Sequence, residues 1–398
     1  MVNQKMQHLG EERSAIRELF EQGKILKEKY GTSNVFDFSI GNPSVPAPPI
    51  VANTLTNILK GDTLSLHRYT SAQGDKSVRQ SISSYISKTY NTDIDADLIY
   101  LTVGAAAGLA ISIRALITSE NDEVLLFAPF FPEYNVFIEN AGANQSIVEP
   151  DYKTFKPNLS DLQSKINKNT KIVIINSPNN PTGVVYEENT IKEICDILAL
   201  KEKEFGHPIY IISDEPYREL IYNGISYPFI TNYYDNSIVT YSFSKSLSLP
   251  GERIGYIIVN PNCQDKNSVY AAICGAGRSL GYVCAPSLFQ FMIPQVLGST
   301  SDIQIYKRNS EIFYQELTNI GYEVIKPDGA FYLFVKALED NDENFSKKAL
   351  EYNLLIVPSK SFGVKGYVRI AYCVEEQQII NSIPEFKKLY EYYQRNIL

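Results

Sequence analysis

The sequence SFSKSLSLPGERIGY spans Ser242–Tyr256 and joins two nearly continuous apolar runs, Ser237–Ser242 and Arg253–Val259. Continuous rather than alternating apolarity is typical of strands that are buried on both faces. The joining stretch holds several hydroxyl groups, the amine of Lys245 and, eight residues later, the guanidinium of Arg253. Reactive side chains at the end of a buried strand predict a ligand site in an open α/β sheet.

Four further apolar runs precede this stretch, and helix-length segments separate most of them. The runs are Leu98–Val103, Glu123–Ala128, Lys171–Asn176 and Pro208–Ser213. Buried strands that alternate with helices predict a doubly wound, mostly parallel α/β domain. We expect this large domain to cover residues 45–300.

The rest of the chain predicts a smaller α+β domain made of residues 1–44 and 301–398. Its predicted elements are a long helix at Ser301–Gly321, strands at Gly329–Val335, Leu354–Val357 and Tyr367–Ala371, and a terminal helix at Gln377–Gln394. The proline-rich segment Asn42–Pro49 cannot be helical, so we expect it to lead from an N-terminal arm into the large domain.

Composition excludes several classes of function. The chain has 398 residues and a net charge of −8, which argues against nucleic-acid and membrane-surface binding, because both need clustered positive charge. The apolar stretch Val103–Ile113 is too short to span a bilayer, and the polar start MVNQKMQHLGEER predicts neither a signal peptide nor an anchor. Five dispersed cysteines and three histidines form no metal-ligand pattern, so we expect no metal site, reduced thiols and a cytoplasmic protein.

The residues just after the predicted strands carry the chemistry. Small residues follow the first run, and their backbone N–H groups at a helix start suit a phosphate-sized anion. The other strand ends add aromatic, amide, carboxylate, phenol and amine groups at the same edge of the sheet. These residues are Gly104, Ala105, Ala106, Phe130, Phe131, Asn179, Asn180, Asp214, Tyr217 and Lys245.

At this point the chain resembles a known family, the class I/II aminotransferases, which are pyridoxal-phosphate enzymes of fold type I, and within it the aspartate-aminotransferase-like members. SFSKSLSLPGERIGY matches the lysine-attachment signature of that family. The remaining motifs occur in the order and spacing that the family shows: SIGNPS (Ser39–Ser44), RYTSAQGDKSVR (Arg68–Arg79), NSPNNPTG (Asn176–Gly183), SDEPY (Ser213–Tyr217), PDGAFYLF (Pro327–Phe334) and YVRIAY (Tyr367–Tyr372). The resemblance implies a seven-stranded type of sheet in the large domain and pyridoxal 5'-phosphate as cofactor.

The resemblance also implies a role for each strand-end residue. Lys245 would form the internal Schiff base and move a proton between Cα and C4′. Asp214 would keep the pyridine nitrogen protonated, and Tyr217 and Asn180 would bind the 3′-oxygen. Phe131, rather than its neighbour, would stack on the ring. The phosphate would be held by Gly104, Ala105, Ala106, Ser242, Ser244 and Arg253.

For substrate and subunit contacts, the resemblance implies that Arg369 binds the α-carboxylate with help from the Gly41 N–H and the Asn180 amide. An arginine within an apolar strand is costly to bury without an anionic partner, which favours this role. Tyr69 would reach the phosphate of the neighbouring subunit, so a homodimer is expected. Arg278 would add a second cation for dicarboxylic substrates, and His67 and Arg68, from the partner subunit, would add more positive charge.

The predicted activity is ping-pong transfer of an α-amino group from an L-amino acid to a 2-oxo acid, with aspartate or glutamate and 2-oxoglutarate as the candidate pair. A C–S β-lyase, or another pyridoxal-phosphate lyase on the same fold, would use the same lysine, aspartate and arginine and stays open. A nicotinamide oxidoreductase would need the G-x-G-x-x-G spacing, which the Val103–Gly108 turn lacks. A transcription regulator of this fold would need an N-terminal DNA-binding domain, for which we expect the 38 residues before Ser39 to be too few.

Overall fold

The computed structural model describes residues 2–11 and 15–396. Contacts divide the chain into two compact units. The large unit comprises Pro46–Asn179 and Val184–Ile303, and the small unit comprises Met1–Val45, Asn180–Gly183 and Gln304–Leu398. Met1, Glu12 and Arg13 of the polar N-terminal segment lie outside the described residues. No helix within the described ranges is both long enough and apolar enough to cross a membrane.

The strands are short, and most of them lie where the apolar runs predict them. In chain order they are β1 (Phe36–Asp37), β2 (Ile99–Thr102), β3 (Glu123–Phe127), β4 (Asn144–Val148), β5 (Thr170–Asn176), β6 (Tyr210–Asp214), β7 (Ser237–Ser242), β8 (Gly255–Val259), β9 (Val324–Ile325), β10 (Tyr332–Lys336), β11 (Leu354–Leu355), β12 (Val357–Pro358) and β13 (Tyr367–Ala371).

The helices connect these strands. They are α1 (Gln4–Glu11), α2 (Ala15–Tyr30), α3 (Pro49–Leu59), α4 (Thr63–Leu66), α5 (Lys76–Tyr90), α6 (Ala105–Leu116), α7 (Glu133–Ala141), α8 (Leu159–Lys165), α9 (Glu188–Phe205), α10 (Phe243–Ser246), α11 (Lys266–Ser279), α12 (Ser287–Val296), α13 (Ile303–Ile320), α14 (Asp342–Leu350) and α15 (Glu376–Asn396). The proline-rich segment is not helical before α3 begins at Pro49, as predicted.

The sheet of the large unit has seven strands in the order β2-β8-β7-β6-β5-β3-β4. Adjacent strands of this sheet run parallel to each other, except that β8 is antiparallel to both β2 and β7. Every residue of β2, β7 and β8 is buried, which is the two-sided burial that continuous apolar runs predict. The predicted doubly wound, mostly parallel seven-stranded sheet, with a smaller α+β part beside it in the chain, is therefore confirmed.

Two details differ from the sequence-based expectation. β4 was not predicted, because it lies at the edge of the sheet and most of its side chains are partly or fully exposed, so it has no continuous apolar run. The run Leu354–Val357 was predicted as one strand. The chain instead divides there: β11 pairs with β1, whereas β12, which follows after Ile356, pairs with β13.

The small unit is held together by strand pairing and aromatic packing. β12, β13, β10 and β9 form an antiparallel sheet, and β1 and β11 form a separate parallel pair. The ring of Phe38 lies 5.0 Å from that of Phe313 and 6.2 Å from that of Phe386, measured between centroids. These rings join the segment after β1 to α13 and α15, so residues from both ends of the chain share one core.

Gly255 provides a stability test of the sheet. A Cβ at this position would overlap the carbonyl oxygen of Tyr241 on the neighbouring strand, and backbone cannot yield as a side chain can. We expect Gly255→Ala to lower the free energy of unfolding by at least about 2 kcal/mol. Urea unfolding measures this change as a lower midpoint concentration.

Gly275→Ala is the matched control. Gly275 is exposed within α11 and has open space around it, so alanine there should leave the free energy of unfolding unchanged or raise it by up to about 1 kcal/mol through helix propensity. Equal midpoints for Gly255→Ala and the unaltered protein would contradict the described pairing of β7 and β8.

Candidate active site

Three polar side chains meet at the carboxyl edge of the large sheet because their strands are in register. Asn176 ends β5 opposite Asp214 at the end of β6, and Asp214 is opposite Thr240 of β7. The Asn176 amide donates to the backbone oxygen of Asp214 at 3.0 Å and to its carboxylate at 3.5 Å. The Thr240 hydroxyl donates to the other carboxylate oxygen at 3.4 Å.

The carboxyl group of Asp214 is buried, with 4% of the residue exposed. Its shortest hydrogen bond comes from the hydroxyl of Tyr134, at 2.6 Å. Burial raises the pKa of Asp214 to about 7; the hydrogen bond from Tyr134 opposes this rise, and the neighbouring charge of Glu215 adds to it. A cation placed against this carboxyl group would offset the cost of its burial, so the group is suited to bind one.

Tyr134 is a site residue that the sequence analysis missed. It lies in the first turn of α7, just after the aromatic turn at the end of β3, and burial together with Asp214 raises its pKa well above the ordinary value. Its ring meets that of Phe131 edge to face, with centroids 5.7 Å apart. Phe130 is buried in the core, whereas Phe131 is only half-buried. The strand-end position was the available signal, but one tyrosine among 28 does not stand out.

A cradle for an anion forms where β2 ends and β8 begins. Gly255 pairs with both Thr102 and Ser242, so the turns that adjoin these three residues lie together. Gly104 has φ +89°, and a Cβ there would lie 2.8 Å from Nη2 of Arg253. The backbone of Gly104 therefore closely approaches the guanidinium, at the position where only glycine leaves room.

Helix and hydroxyl groups complete this cradle. α6 begins at Ala105 and continues through Ala106, so the amides of its first turn have no partners within the helix. The hydroxyl groups of Ser242 and Ser244 lie 2.6 Å apart at the end of β7. Arg253 Nη1 donates to the carbonyl of Pro250 at 2.9 Å. A guanidinium, a helix N-terminus and two hydroxyls are the donors that a phosphate group needs.

Lys245 follows β7, the strand that lies between the strands of these two clusters. It belongs to α10, a single turn that begins where β7 ends, and the Ser242 hydroxyl accepts the N–H of Ser244 at 3.2 Å. β7 has β6 on one side and β8 on the other. The neighbours of β7 are thus β6, which ends at Asp214, and β8, which begins just after Arg253. Lys245 is half-buried.

The turn after β6 is fixed by a buried ion pair that the sequence did not predict. Arg218 Nη1 lies 2.9 Å from a carboxylate oxygen of Glu215, and both side chains are at most 1% exposed. Ser213 donates to the other oxygen of Glu215 at 2.8 Å, and Arg218 also donates to Tyr256 at 2.7 Å. This network holds the segment that contains Asp214 and the buried Tyr217.

A second group of predicted site residues lies in the small unit. Arg369 is 2% exposed in β13 and donates to the amide oxygen of Asn180 at 3.1 Å and to the carbonyl oxygen of Ser39. Its guanidinium lies over the ring of Tyr332, 4.7 Å from the centroid. Gly41 packs directly against the Tyr332 hydroxyl, where a Cβ would overlap it. Arg369, Asn180 and Gly41 are thus all part of one unit.

The remaining predicted residues lie on the surface of the large unit. Tyr69 is 96% exposed, and His67 and Arg68 before it are exposed as well. Arg278 is exposed in the last turn of α11. Within this chain these side chains are not part of the clusters described above. Among the described residues, no group of three or more His, Cys, Asp or Glu is placed to hold a metal ion.

Fold and strand-end chemistry define the class: an α/β enzyme with a lysine, a buried carboxyl group and an anion cradle at one sheet edge. Comparison with known proteins identifies the family. Residues 33–383 match the family model described as "Aminotransferase class I and II". The chain belongs to this family, and it is an aminotransferase.

Individual relatives agree with this assignment. A "Probable aspartate aminotransferase" of Methanocaldococcus jannaschii is 30% identical over 95% of this chain and 97% of its own. The crystal structure of an "Amino Transferase" from Eubacterium rectale is 54% identical, covers 99% of each chain and has a TM-score of 0.97. An aspartate aminotransferase from Thermotoga maritima is 28% identical over 97% of this chain and 99% of its own, with a TM-score of 0.86. The lyase alternative is not favoured.

The raised pKa of Asp214 predicts how stability depends on pH. The ordinary pKa of this group is 3.8 and the folded-state value is about 7, so between these pH values the folded state keeps a proton that the unfolded state loses. This group's contribution to stability therefore falls as the pH rises from about 4 to 7. Asp214→Asn removes the titration.

In cofactor-free protein, we expect the stability of Asp214→Asn relative to the unaltered protein to increase between pH 5 and pH 8. The increase should be on the order of 2 to 3 kcal/mol, measured by urea unfolding at both pH values. A relative stability that stays constant across this range would show that Asp214 is ionised throughout.

Proposed function

We propose that this aminotransferase binds pyridoxal 5'-phosphate in the large unit and transfers the amino group of aspartate or glutamate to 2-oxoglutarate by a ping-pong mechanism. The observation that carries the proposal is the order of three neighbouring strands. β7, which leads to Lys245, lies between β6, which ends at Asp214, and β8, which follows Arg253. Residues 45–300 would form the cofactor-binding domain.

The residues present fit that cofactor. A Cβ at Gly104 would lie 2.8 Å from Nη2 of Arg253, so any residue other than glycine would push against the guanidinium that the phosphate needs. Arg253, Ser242, Ser244 and the N-terminal amides of α6 at Gly104, Ala105 and Ala106 would hold the phosphate. Phe131, half-buried and in edge contact with Tyr134, would cover the ring. When bound, the cofactor supplies an electron sink for the carbanion at the substrate Cα.

Three side chains would act on the bound group. Asp214, whose pKa burial raises to about 7, would share a proton with the ring nitrogen and hold that nitrogen positive. Tyr217 and Asn180 would donate hydrogen bonds to the phenolic oxygen. Lys245 Nζ would attach the cofactor and, once released, would take a proton from Cα as general base and deliver it to C4′ as general acid.

Arg369 would bind the α-carboxylate of the substrate. Its guanidinium is held by the Asn180 amide oxygen and the Ser39 carbonyl, and the Tyr332 ring covers one face. A guanidinium fixed in this way is preorganised for a bidentate pair with a carboxylate. The N–H of Gly41, on the strand-end segment beside Tyr332, would add a further donor.

The proposal includes a homodimer in which Tyr69 reaches the phosphate of the partner's cofactor. A tyrosine that is 96% exposed packs against almost nothing in its own chain, which supports a contact outside it. Cys284 N donates to the Ala72 carbonyl at 3.4 Å, so the loop of Tyr69 is bonded to the segment that follows Arg278. Both residues would therefore lie on the same subunit surface.

Arg278 would pair with the distal carboxylate of a dicarboxylic substrate, with further positive charge from His67 and Arg68. The names of two relatives, the "Probable aspartate aminotransferase" of M. jannaschii and the aspartate aminotransferase of T. maritima, support this substrate class. A cytoplasmic location is also proposed, because no disulfide joins the five cysteines, all of which lie in the described part of the chain, and three of them are buried.

A half-reaction screen tests the proposed activity. The purified holoenzyme is mixed with single amino acids, and the absorbance of the bound cofactor is followed for conversion to the amine form. Aspartate and glutamate should convert it fully, and 2-oxoglutarate should reverse the change. Release of pyruvate and ammonia, without amine formation, would replace the transferase by a β-lyase.

Lys245→Ala should abolish turnover and leave no cofactor that borohydride can fix to the chain, since Nζ of this residue would be the only attachment point. Lys360→Ala is the control, because Lys360 is exposed and pairs with Glu343 on the surface of the small unit. Mass spectrometry of the reduced protein gives the readout. A reduced pyridoxyl group on any other lysine would disprove the assignment.

Arg278→Leu should lower kcat/KM for aspartate and glutamate by about 10-fold or more while changing the value for alanine or aromatic donors by less than about 3-fold. The matched control is Arg114→Leu, which removes another exposed arginine from the last turn of a large-unit helix. Equal losses for all donors, or no reaction with either dicarboxylic amino acid, would point to a neutral or aromatic substrate instead.

A further inference from the structure

The loop that carries Tyr69 has to be positioned by its backbone. The Tyr69 side chain is 96% exposed, so it contributes almost no packing within its own subunit. The loop connects α4, which ends at Leu66, to α5, which begins at Lys76. Whatever holds residues 67–75 in place thus determines where the Tyr69 hydroxyl lies.

One buried side chain contacts both halves of this loop. Gln290, on α12, is 0% exposed. Its amide oxygen accepts the backbone N–H of Asp75 at 2.9 Å, and its amide nitrogen donates to the hydroxyl of Thr70 at 3.1 Å. Gln290 therefore joins the residue next to Tyr69 to the residue that caps α5.

The same amide nitrogen also donates to the carbonyl of Ala285, in the segment that follows α11. That segment reaches the loop independently, because the Cys284 N–H donates to the Ala72 carbonyl at 3.4 Å and the Cys284 thiol to the Thr70 carbonyl at 3.4 Å. Gln290 is thus the point at which α12, the Tyr69 loop and the segment after Arg278 are bonded together. A buried amide that uses both its oxygen and its nitrogen in this way fixes local geometry, since each lost bond leaves a buried polar group unpaired.

We propose that Gln290 is a positioning residue for Tyr69 and, through it, for retention of the cofactor phosphate in the partner subunit. The inference rests on the proposed role of Tyr69. Gln290 touches neither cofactor nor substrate; it orders the loop backbone in advance, so that less conformational entropy is lost when the Tyr69 hydroxyl binds the phosphate.

A double-mutant cycle tests this on the full-length protein. The variants are Gln290→Leu, Tyr69→Phe and the two combined, and the measured quantity is the dissociation constant of pyridoxal phosphate by equilibrium dialysis. We expect each single substitution to raise that constant by about 10-fold, which corresponds to the loss of about one hydrogen bond. The combined variant should bind the cofactor no more weakly than Tyr69→Phe alone, because Gln290 acts through that residue.

A matched control removes a buried amide elsewhere. Asn260 follows β8 at the amino ends of the parallel strands, away from the candidate site, and is 1% exposed. Its amide donates to the carbonyls of Thr231 and Tyr234 at 3.2 and 3.0 Å. Asn260→Leu should lower thermal stability as Gln290→Leu does but leave cofactor binding unchanged. Thr70→Val removes one bond of the Gln290 amide from the loop side and should weaken cofactor binding by a smaller factor, which provides the test if Gln290→Leu does not fold.

The outcomes distinguish a failure of the Gln290 role from a failure of the Tyr69–phosphate contact. If Tyr69→Phe weakens cofactor binding but neither Gln290→Leu nor Thr70→Val does, or if the effects of Gln290→Leu and Tyr69→Phe multiply, the role of Gln290 is overturned and that of Tyr69 stands. If Tyr69→Phe binds the cofactor as the unaltered protein does, the proposed contact of Tyr69 with the phosphate is wrong, and the inference about Gln290 is overturned with it.

Discussion

Burial of the Asp214 carboxyl group at the end of β6 is the constraint on which the large unit's site depends. Two acidic residues follow each other here, and both are buried. Glu215 is compensated within the protein by the guanidinium of Arg218 at 2.9 Å. Asp214 receives its hydrogen bonds from the neutral donors Tyr134, Thr240 and Asn176. Its ionised form is therefore solvated by the dipoles of these donors, and a protonated ring nitrogen would add the matching positive charge.

Much of the fold could be predicted from the sequence, because a strand buried on both faces carries its own signal. The runs that became β2, β3 and β5 to β8 each contain three or four apolar residues within a short stretch, and helix-length segments separate most of them. β4 lacks this signal, since its position at the sheet edge leaves its side chains partly in water. The split between β11 and β12 also could not be predicted, because it depends on a partner strand, β1, more than 300 residues earlier in the chain.

The residues of the candidate site also differ in whether the sequence predicts them. Residues in local motifs, such as Asp214, Lys245 and Arg253, could be identified because each follows or precedes a recognisable strand. Tyr134 could not, since its role depends on a hydrogen bond to a residue 80 positions away. Gln290 is a stronger case: its bonds to Asp75 and Thr70 span 215 and 220 positions. Nothing around Gln290 in the sequence distinguishes it from a polar residue on a helix surface.

The way the chain is divided between the two units has a consequence for biosynthesis. The large unit takes its residues from Pro46–Asn179 and Val184–Ile303, so all of them have been synthesised before the last 95 residues. The small unit pairs β1 with β11 and packs Phe38 against α13 and α15, so its core needs both ends of the chain. Contacts of such large sequence separation form late. The small unit therefore completes its core only after α15 has been synthesised. Until then Phe38 and β1 lack these packing partners and stay accessible to chaperones and proteases.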